Sequence, residues 1–378
     1  MSLGTDRGTP PTLAGFSVAI TAARRAEEFE ALLTRRGARV VSAAAISMVP
    51  LADDRGLSEA TADLIENPPD VLIATTGIGF RGWIEAADEW GVADDLLSAL
   101  AGARVISRGP KATGALRAAG LREEWSPESE SSAEVLAHLT SDDLGGKRVA
   151  VQLHGAIDAW DPNPGFLSGL VGRGASVVGV PVYRWEGPSD VAAFDALVDD
   201  VARARVDAVA FTSAPAAASM LLRADELGVR DALVAALSGP VTAYSVGPVT
   251  SAPLEAAGIP SVAPDRMRLG ALARLIAEDL PAGSPDIAVA GHRLGVHAAA
   301  AVVDGEVRDV SASGLTVLKA LAEQPGDVVS RQDLLALLPA AGDDLHAVEV
   351  AIGRLRDALG VREIVGTVVK RGYRLAVD

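Results

Sequence analysis

Cationic and hydroxyl side chains follow the short apolar runs that recur along the first 285 residues. In an open α/β sheet, ligands bind beyond the carboxyl ends of the strands. The polar residues found there are Arg24, Arg25, Thr75, Thr76, Arg108, His154, Thr212, Ser213 and Thr250. Guanidinium groups and hydroxyls hydrogen-bond to carboxylates and phosphates, so these residues are candidates for contacts to an anionic ligand.

The loop GPVT at residues 247–250 is a second candidate anion site. Gly247 and Pro248 open a predicted helix, and the first backbone N–H groups of a helix have no partner within it. Such groups bind carboxylates. Thr250 has an alternative interpretation, as a residue whose hydroxyl caps those helix donors.

Three glycines form the pattern G-x-G-x-x-G directly behind the run VLIA. Gly77, Gly79 and Gly82 have the spacing of a dinucleotide-binding turn, which needs a strand before it and a helix after it. The next strand should then end near an acidic residue, and this chain has Arg108 there. An arginine suits a 2′-phosphate, so NADP binding stays an alternative. The favoured interpretation is that the glycines permit a tight strand-to-helix turn.

The elements that must position these residues are short strands alternating with helices. Eight apolar runs (VAI, VV, VLIA, RVI, RVAVQL, VVGV, AVAF and AYSV) alternate with Ala- and Leu-rich amphipathic segments. This pattern predicts an α/β protein with parallel sheets. Segments also recur after 137 or 138 residues, as in ATTGIGF at 74–80 and FTSAPAA at 211–217, or GPKATGALRAAG at 109–120 and GPVTSAPLEAAG at 247–258. Duplicated α/β units are therefore expected.

Composition narrows the class of protein. The 378 residues, 49% of them hydrophobic, are enough for two or three domains with separate cores. Because there is no cysteine and the five histidines are scattered, neither a disulfide nor a metal site is expected. The first 13 residues lack a signal-peptide pattern and no run of 18 apolar residues occurs, so we expect a cytoplasmic protein that does not span a membrane. A net charge of −16 means that nucleic acid could be bound only by a local basic patch.

The pattern changes after Pro285. Short strand-like pieces follow, with a hairpin signal at Asp304 and Gly305, and then three helical segments. The second helical segment begins with Ser330 three residues before Asp333, a variant of the capping box.

The last 35 residues combine an amphipathic helix with a basic hairpin. The segment HAVEVAIGRLRDALG places four apolar residues on one face, namely Val348, Ile352, Leu355 and Leu359. The ending IVGTVVKRGYRLAV predicts a hairpin with Lys370, Arg371 and Gly372 at its turn.

Positive charge is concentrated in this part of the chain. Residues 286–378 contain 10 Lys or Arg and 13 Asp or Glu, a net charge of −3, whereas residues 354–374 alone have a net charge of +4. A helix fits the major groove of DNA, and a basic hairpin tip reaches phosphates or the minor groove. The alternative is a solvated helix face followed by an ordinary basic turn.

The order of the repeated motifs resembles that of the uroporphyrinogen-III synthase family. The matching segments are VAITAARRAEEFEALLTRRGARVV near the start, FTS at 211–213, VGPVTSAPLEAAG at 246–258 and VPVYRW at 180–185. The resemblance implies two α/β domains joined by a two-stranded linker, with residues 14–49 and 187–285 in one domain and 50–186 in the other. It also implies that a linear tetrapyrrole with eight carboxylates is cyclised, with inversion of one ring and without a cofactor, in the cleft between the domains.

The same resemblance assigns roles to single residues. Tyr183 matches a tyrosine considered a general acid in that family, and Thr250 matches the threonine of its G-x-x-T loop. The cleft would be lined by Arg24, Arg25, Thr76, Arg108, His154, Thr212, Ser213 and Gly247. Tyr183 could instead pack against Trp185, and the first two arginines could be solvated surface charge. Arg108 and the glycine-rich TTGIGFRG depart from the family pattern, so a retained cleft with altered chemistry is an expectation.

Residues 286–378 resemble the winged helix-turn-helix output domain of OmpR/PhoB-type response regulators. The resemblance rests on the four-stranded lead-in sheet, the R-L-R at 354–356 and the T-V-x-x-x-G-Y-R wing at 367–374. It implies that promoter DNA is bound through Arg354, Arg356, Thr367, Lys370 and Arg371. Ala351, Gly353 and Val369 stand where relatives carry longer polar or basic side chains. Fewer phosphate contacts weaken binding by one copy, so a homodimer on two half-sites is expected.

Both modules on one chain resemble a group of actinobacterial proteins named bifunctional uroporphyrinogen-III synthase/response regulators, whose members include regulators of nitrate and nitrite assimilation genes. No phosphoacceptor receiver domain is indicated, because VAI is followed by TAARR and not by the acidic pair that binds Mg²⁺. The leading hypothesis is a transcription regulator whose synthase-like module senses a ligand or partner through cleft closure. The runner-up is an active synthase with an accessory DNA-binding domain.

Overall fold

A computed structural model of the chain describes residues 12–51, 55–128, 132–139, 144–153, 155, 165–338 and 344–378. Backbone contacts divide the chain into two compact units. The first unit comprises the described residues up to Ala45 together with Pro188–Asp378, and the second unit comprises Ile46–Gly187. Within the first unit, we call residues 12–45 and 188–283 the first α/β half, and residues 286–378 the winged-helix region.

Strands and helices alternate through both units. The strands are β1 (Ser17–Ile20), β2 (Arg39–Ser42), β3 (Ser47–Pro50), β4 (Val71–Ala74), β5 (Arg104–Ser107), β6 (Arg148–Gln152), β7 (Ser176–Val180), β8 (Tyr183–Glu186), β9 (Ala208–Phe211), β10 (Thr242–Ser245), β11 (Ile287–Val289), β12 (His292–Val296), β13 (Ala301–Val303), β14 (Glu306–Arg308), β15 (Val329–Ser330), β16 (Val365–Val368) and β17 (Gly372–Leu375).

The helices are α1 (Ala26–Thr34), α2 (Arg55–Glu66), α3 (Gly77–Glu89), α4 (Ala93–Ala101), α5 (Pro110–Ala118), α6 (Ser132–His138), α7 (Phe166–Val171), α8 (Val191–Ala202), α9 (Ala214–Glu226), α10 (Arg230–Leu237), α11 (Pro248–Ala256), α12 (Leu269–Gly283), α13 (Ala312–Ala322), α14 (Arg331–Ala336) and α15 (Leu345–Leu359). No helix among the described residues is long and apolar enough to span a membrane.

Two four-stranded parallel sheets have the same strand order. The sheet of the first α/β half runs β10-β9-β1-β2, and the sheet of the second unit runs β5-β4-β6-β7. Strands β1, β4 and β9 are buried at every position, as expected for central strands of a parallel sheet with helices on both faces. The eight apolar runs therefore form the strands predicted from them, and the duplication predicted from the 137-residue interval is confirmed.

The loops at equivalent positions of the two repeats also have the same geometry. Gly109 and Gly247 both precede a proline in the first helical turn and have extended φ angles of 170° and 168°. In the second unit the Thr113 hydroxyl lies 2.8 Å from that of Ser107, and in the first unit the Ser245 and Ser251 hydroxyls are 2.6 Å apart. These paired hydroxyls hold each loop against the helix that it starts.

A two-stranded ribbon begins and ends the second unit. Strand β3 pairs with β8 in antiparallel register, with Ser47 opposite Glu186 and Pro50 opposite Tyr183. The resemblance predicted a two-stranded linker, and this ribbon confirms it.

The winged-helix region begins with an antiparallel sheet of the order β11-β12-β13-β14. Asp304 and Gly305 join β13 to β14 with φ angles of 52° and 81°, the pair of positive values that a two-residue type I′ hairpin turn requires. Three helices follow, and β15-β17-β16 form the wing sheet. The four-stranded lead-in sheet and the wing hairpin predicted from the sequence are both present.

Local signals set the ends and faces of the winged-helix elements. The Ser330 hydroxyl accepts a hydrogen bond from the Asp333 backbone N–H at 3.1 Å and donates to the Asp333 carboxylate at 2.6 Å, so Ser330 caps α14, while the carboxylate binds the hydroxyl and not the Ser330 backbone N–H of a full capping box. On α15 the four predicted core residues are buried, with at most 1% of each side chain exposed: Val348, Ile352, Leu355 and Leu359. This face anchors α15 in the core of the region and leaves the opposite face in solvent.

Candidate ligand site and candidate nucleic-acid interface

In the second unit, two of the predicted site residues lie together. The Tyr183 hydroxyl is 3.5 Å from the Thr76 hydroxyl. Thr76 follows β4 and caps α3, because its hydroxyl accepts a hydrogen bond from the Gly79 N–H at 3.1 Å. Tyr183 is 7% exposed, and its ring meets that of Trp185 edge-on with 5.9 Å between centroids. Tyr183 thus combines the packing contact expected from the linker with a polar contact at the end of β4.

Sequence reasoning missed Gln152, the residue that organises this corner. Gln152 is fully buried at the end of β6. Its side-chain oxygen accepts hydrogen bonds from the backbone N–H groups of Thr75 and Thr76 at 3.2 and 3.0 Å. Its amide nitrogen lies 3.5 Å from the Thr76 hydroxyl and donates to the Leu153 carbonyl. The signal in the sequence was a polar residue at the end of the apolar run RVAVQ.

The glycine pattern behind β4 serves packing. A Cβ atom on Gly77 would lie 2.2 Å from the Lys111 carbonyl oxygen, and one on Gly79 would lie 2.2 Å from the Gln152 amide nitrogen. A pyrophosphate bound to a dinucleotide turn needs the first backbone N–H groups of the helix, and that of Gly79 already donates to the Thr76 hydroxyl at 3.1 Å. The favoured interpretation, a tight strand-to-helix turn, is the one that the structure supports.

Two further predicted residues belong to the second unit. Arg108 follows β5, is half-buried, and donates its backbone N–H to the Ala74 carbonyl at 2.9 Å, so it lies beside the end of β4. His154, also predicted for the cleft, lies outside the described residues.

In the first α/β half, the loops after β9 and β10 lie side by side, because the Val246 N–H donates to the Phe211 carbonyl at 3.0 Å. The first loop carries Thr212 and Ser213, both half-buried. The second carries Gly247 and Thr250. These four predicted residues are therefore brought to one edge of the sheet.

Thr250 does not act as a helix cap. Its backbone N–H donates to the Gly247 carbonyl at 2.9 Å, and helix α11 has Gly247 as its N-cap without a side-chain hydrogen bond. Among the described residues the Thr250 hydroxyl has no hydrogen-bond partner, although the residue is only 5% exposed. The Met267 side chain covers Gly247, since a Cβ atom there would lie 2.6 Å from Met267 Cγ. The hydroxyl is thus available to a ligand.

The two arginines after β1 differ in their surroundings. Arg25 is the N-cap of α1 with a φ of 55°, and its guanidinium forms hydrogen bonds of 2.7 and 2.6 Å with the Glu28 carboxylate. This contact raises the pKa of Arg25 above its usual value and lowers that of Glu28. Arg24 is exposed and its side chain has no partner among the described residues. Of the two, Arg24 has the freer charge for an anionic ligand.

The candidate nucleic-acid interface is formed by α15 and the wing. Among the described residues, four basic side chains here are exposed and have neither an ion pair nor a hydrogen bond: Arg354, Lys370, Arg371 and Arg374. Lys370 lies in the turn between β16 and β17 with a φ of 63°, next to the 78% exposed Val369. We call these four residues the free basic cluster.

Arg356 differs from that cluster because its guanidinium is used inside the region. It donates to the Val365 carbonyl at 2.9 and 2.5 Å and to the Thr367 hydroxyl at 2.8 Å. The guanidinium carbons of Arg356 and of Arg331 each lie 5.9 Å from the centre of the Tyr373 ring. Arg356 therefore connects the end of α15 to strand β16. Arg356 and Thr367, which were both predicted to contact DNA, are hydrogen-bonded to each other in this structure.

Acidic partners neutralise other charges near the interface. Arg362 pairs with Asp357 across the end of α15. Arg331 lies 3.1 Å from Glu349, which also lies 3.5 Å from the His346 ring. The positive charge predicted for residues 354–374 is therefore presented mainly by the free basic cluster.

The fold and these sites define a class of protein with two pseudo-repeated α/β domains, a two-stranded linker and a C-terminal winged helix. The model of the family Uroporphyrinogen-III synthase HemD matches residues 27–274, and that of the family Transcriptional regulatory protein, C terminal matches residues 305–375. The chain belongs to the uroporphyrinogen-III synthase family, and in it this module is fused to a C-terminal domain of the OmpR/PhoB type. Both resemblances drawn from the motifs are confirmed.

Two curated relatives and one solved structure are similar to this chain. An uncharacterized protein of Bacillus subtilis, YjjA, is 30% identical over 261 residues, which are 69% of this chain and 94% of the relative. A putative uroporphyrinogen-III synthase of Methanothermobacter thermautotrophicus is 31% identical over 176 residues, 46% of this chain and 66% of the relative. A solved structure of a mutant uroporphyrinogen III synthase from Thermus thermophilus is 29% identical, with a TM-score of 0.58, and covers 71% of this chain and 99% of its own.

Proposed function

We propose that the protein is a DNA-binding transcription regulator whose synthase-type module binds an anionic ligand of the tetrapyrrole class. The observation that carries the proposal is the free basic cluster on α15 and the wing of a chain whose net charge is −16. In an otherwise acidic protein, exposed basic side chains on one helix and the neighbouring hairpin suit binding to the phosphate backbone of DNA.

The interface has a distinct task for each part. Arg354, on the exposed face of α15, reads base edges in the major groove, where arginine pairs with guanine. Lys370 and Arg371 bind phosphates from the wing. Arg356 and Thr367, which the sequence pattern assigned to DNA contacts, act chiefly by holding the wing against α15. Since the basic cluster is small, stable binding needs two copies of the chain on two half-sites.

Each unit has its own candidate ligand-binding residues at the carboxyl ends of its strands. Thr212, Ser213 and Thr250 lie on one edge of the first α/β half, and Arg24 follows the neighbouring strand β1. In the second unit, Thr76, Arg108 and Tyr183 lie at the ends of β4 and β5 and the start of β8. Cations and hydroxyls of this kind suit a ligand with several carboxylates.

An active synthase is the second candidate function. It is favoured by the buried Tyr183 hydroxyl beside Thr76 and by the unpartnered Thr250 hydroxyl, which match the residues that the family resemblance singles out. Purified protein incubated with hydroxymethylbilane distinguishes the two candidates. If the wild type forms the type III isomer at enzymatic rates and Tyr183→Phe does not, the chain is both a synthase and a regulator. If the wild type forms no type III isomer, the result favours a module that only senses a ligand.

A genome-wide map of bound DNA tests the regulator proposal. We expect a small set of promoter sites with a repeated half-site, and the genes of nitrate and nitrite assimilation are the candidate targets. A cytoplasmic location goes with this role. A map without enriched sites, together with no binding of the purified protein to promoter fragments, would refute the proposal.

A further inference from the structure

One turn of the winged-helix region lies against the first α/β half. Strands β12 and β13 are joined by residues 297–300, and the His297 N–H closes this turn on the Ala300 carbonyl at 2.9 Å. The next residue, Ala298, donates its N–H to the Asp207 carboxylate at 2.7 Å. Its carbonyl accepts from the Lys319 ammonium on α13 at 2.8 Å. Ala298 is therefore held from both sides at once.

The rings and the glycine beside this hydrogen bond are closely packed. The His297 ring, 4% exposed, lies 3.9 Å from the Phe16 ring between centroids. Gly15 has a φ of +84°, and a Cβ atom there would lie 2.4 Å from Val302 Cγ2 and 2.9 Å from His297 Cδ2. A glycine is required here both by the backbone conformation and by the approach of the turn.

The duplicated second unit shows what is special about Asp207. Asp70 occupies the equivalent position before β4, and its carboxylate accepts from the Arg148 N–H at 2.8 Å, as that of Asp207 accepts from the Ser17 N–H at 2.7 Å. The second oxygen of Asp70 lies 3.0 Å from the Lys147 ammonium of the same unit. In the first half the second oxygen of Asp207 accepts the Ala298 N–H from the winged-helix region instead.

The residue at the position of Lys147 completes the difference. That position in the first half is Phe16, directly before β1, whose ring packs on His297. In the second unit, the second oxygen of Asp70 is therefore paired with Lys147 of the same unit. In the first α/β half no lysine stands at that position, and the second oxygen of Asp207 lies beside the Phe16 ring and accepts from the winged-helix region. The oxygen of Asp207 without a lysine partner accepts the Ala298 N–H, and Phe16 in place of a lysine packs against the His297 ring.

We propose that Gly15, Phe16 and Asp207 form a docking site for the turn at His297 and Ala298, which makes the winged-helix region and the first α/β half one rigid body. We call this contact the docking joint. The joint lies at the amino ends of β1 and β9, and the candidate ligand residues follow the carboxyl ends of the same two strands. The two sites are thus separated by the length of a four-residue strand, about 13 Å.

A consequence follows for regulation and rests on the proposed function. A ligand that shifts β1 or β9 moves the docking joint and with it the winged-helix region. The ligand then changes the orientation of α15 and does not release a flexibly tethered domain. The joint itself is tested without DNA or ligand. If the joint is rigid but the protein binds no DNA, the docking joint is established, whereas the regulatory consequence and the proposed function are refuted.

Hydrogen exchange of the full chain tests the central hydrogen bond. We expect the Ala298 amide to be protected in the wild type and to exchange at least tenfold faster in Asp207→Asn, with α15 unchanged. The matched control is Asp70→Asn, which removes the equivalent carboxylate from the second unit and should accelerate exchange at Arg148 but not at Ala298. An Ala298 amide that exchanges freely in the wild type, or equally in both variants, would overturn the proposal.

Distance measurement tests the rigidity. Because the chain has no cysteine, two introduced cysteines at the exposed Glu30 and Glu323 can carry spin labels without background. We expect one narrow distance distribution in the wild type and in Asp70→Asn, and a broad one in His297→Ala, which changes only the winged-helix side of the joint and keeps Asp207 paired with Ser17. A broad distribution in the wild type, or a narrow one in His297→Ala and in Asp207→Asn, would overturn the proposal.

Discussion

The salt dependence of DNA binding is the sharpest test of the interface, because the structure separates free cations from engaged ones. Each phosphate contact contributes about −0.9 to the slope of log K against log salt concentration. Since Arg354 is assigned to base edges, three residues of the free basic cluster remain for phosphates, and the slope is about −2.7 for each winged-helix domain bound. Removing two of these contacts in the double variant Lys370→Ala, Arg371→Ala should reduce it to about −0.9.

Arg356→Ala should behave differently although it also removes one positive charge. Its guanidinium donates to the Val365 carbonyl and the Thr367 hydroxyl, so it is not expected to pair with a phosphate. The variant should keep the slope of the wild type and lose affinity equally for all DNA sequences. It should also lower the free energy of unfolding by about 1.5 kcal/mol, the low end for hydrogen bonds of a charged group, since the site is partly solvated.

Fluorescence anisotropy with a labelled duplex from a mapped site, between about 50 and 200 mM salt, measures these slopes over the range in which phosphate contacts dominate. Arg293→Ala is the matched control, because Arg293 is an exposed arginine of the same region that pairs with Asp286 at 3.0 Å. A wild-type slope in the double variant, or a slope flattened by Arg356→Ala as much as by the double variant, would refute this division of roles.

Three further predictions concern other parts of the chain. Gly77→Ala should lower the free energy of unfolding by about 1–3 kcal/mol in denaturant titration, because its Cβ atom meets a backbone carbonyl, whereas Gly114→Ala, with open space around it, should not. Tyr183→Phe should leave DNA binding unchanged while weakening retention of a linear tetrapyrrole in calorimetry, and equal retention by both proteins would remove Tyr183 from the site. Burial lowers the pKa of His297, with Asp207 and Asp286 facing it and opposing the shift. Below about pH 6.5 the unfolded chain then binds a proton that the folded chain resists, so the free energy of unfolding should fall with decreasing pH more steeply in the wild type than in His297→Ala.

Most of the fold could be predicted because its signals are local. Buried strands appear as apolar runs such as VLIA at 71–74, and the type I′ turn at Asp304 and Gly305 and the cap at Ser330 depend on neighbours within three residues. The internal repeat was equally visible, since it needs only a comparison of the chain with itself. The locations of Thr212 and Thr250 at the edge of a parallel sheet follow from the same strand assignments.

The sequence by itself thus determined the two α/β repeats, the winged helix, the buried face of α15 and the concentration of basic residues near the end of the chain. Only the tertiary structure decided which polar groups are free. Gln152 meets Thr76 across 76 residues, and Asp207 meets Ala298 across 91. Arg354 and Arg356 are two residues apart on one helix, yet the first faces solvent and the second binds the wing. Hydrophobic periodicity specifies which face of a helix is buried, but a hydrogen bond depends on an atom that another segment brings within 3 Å.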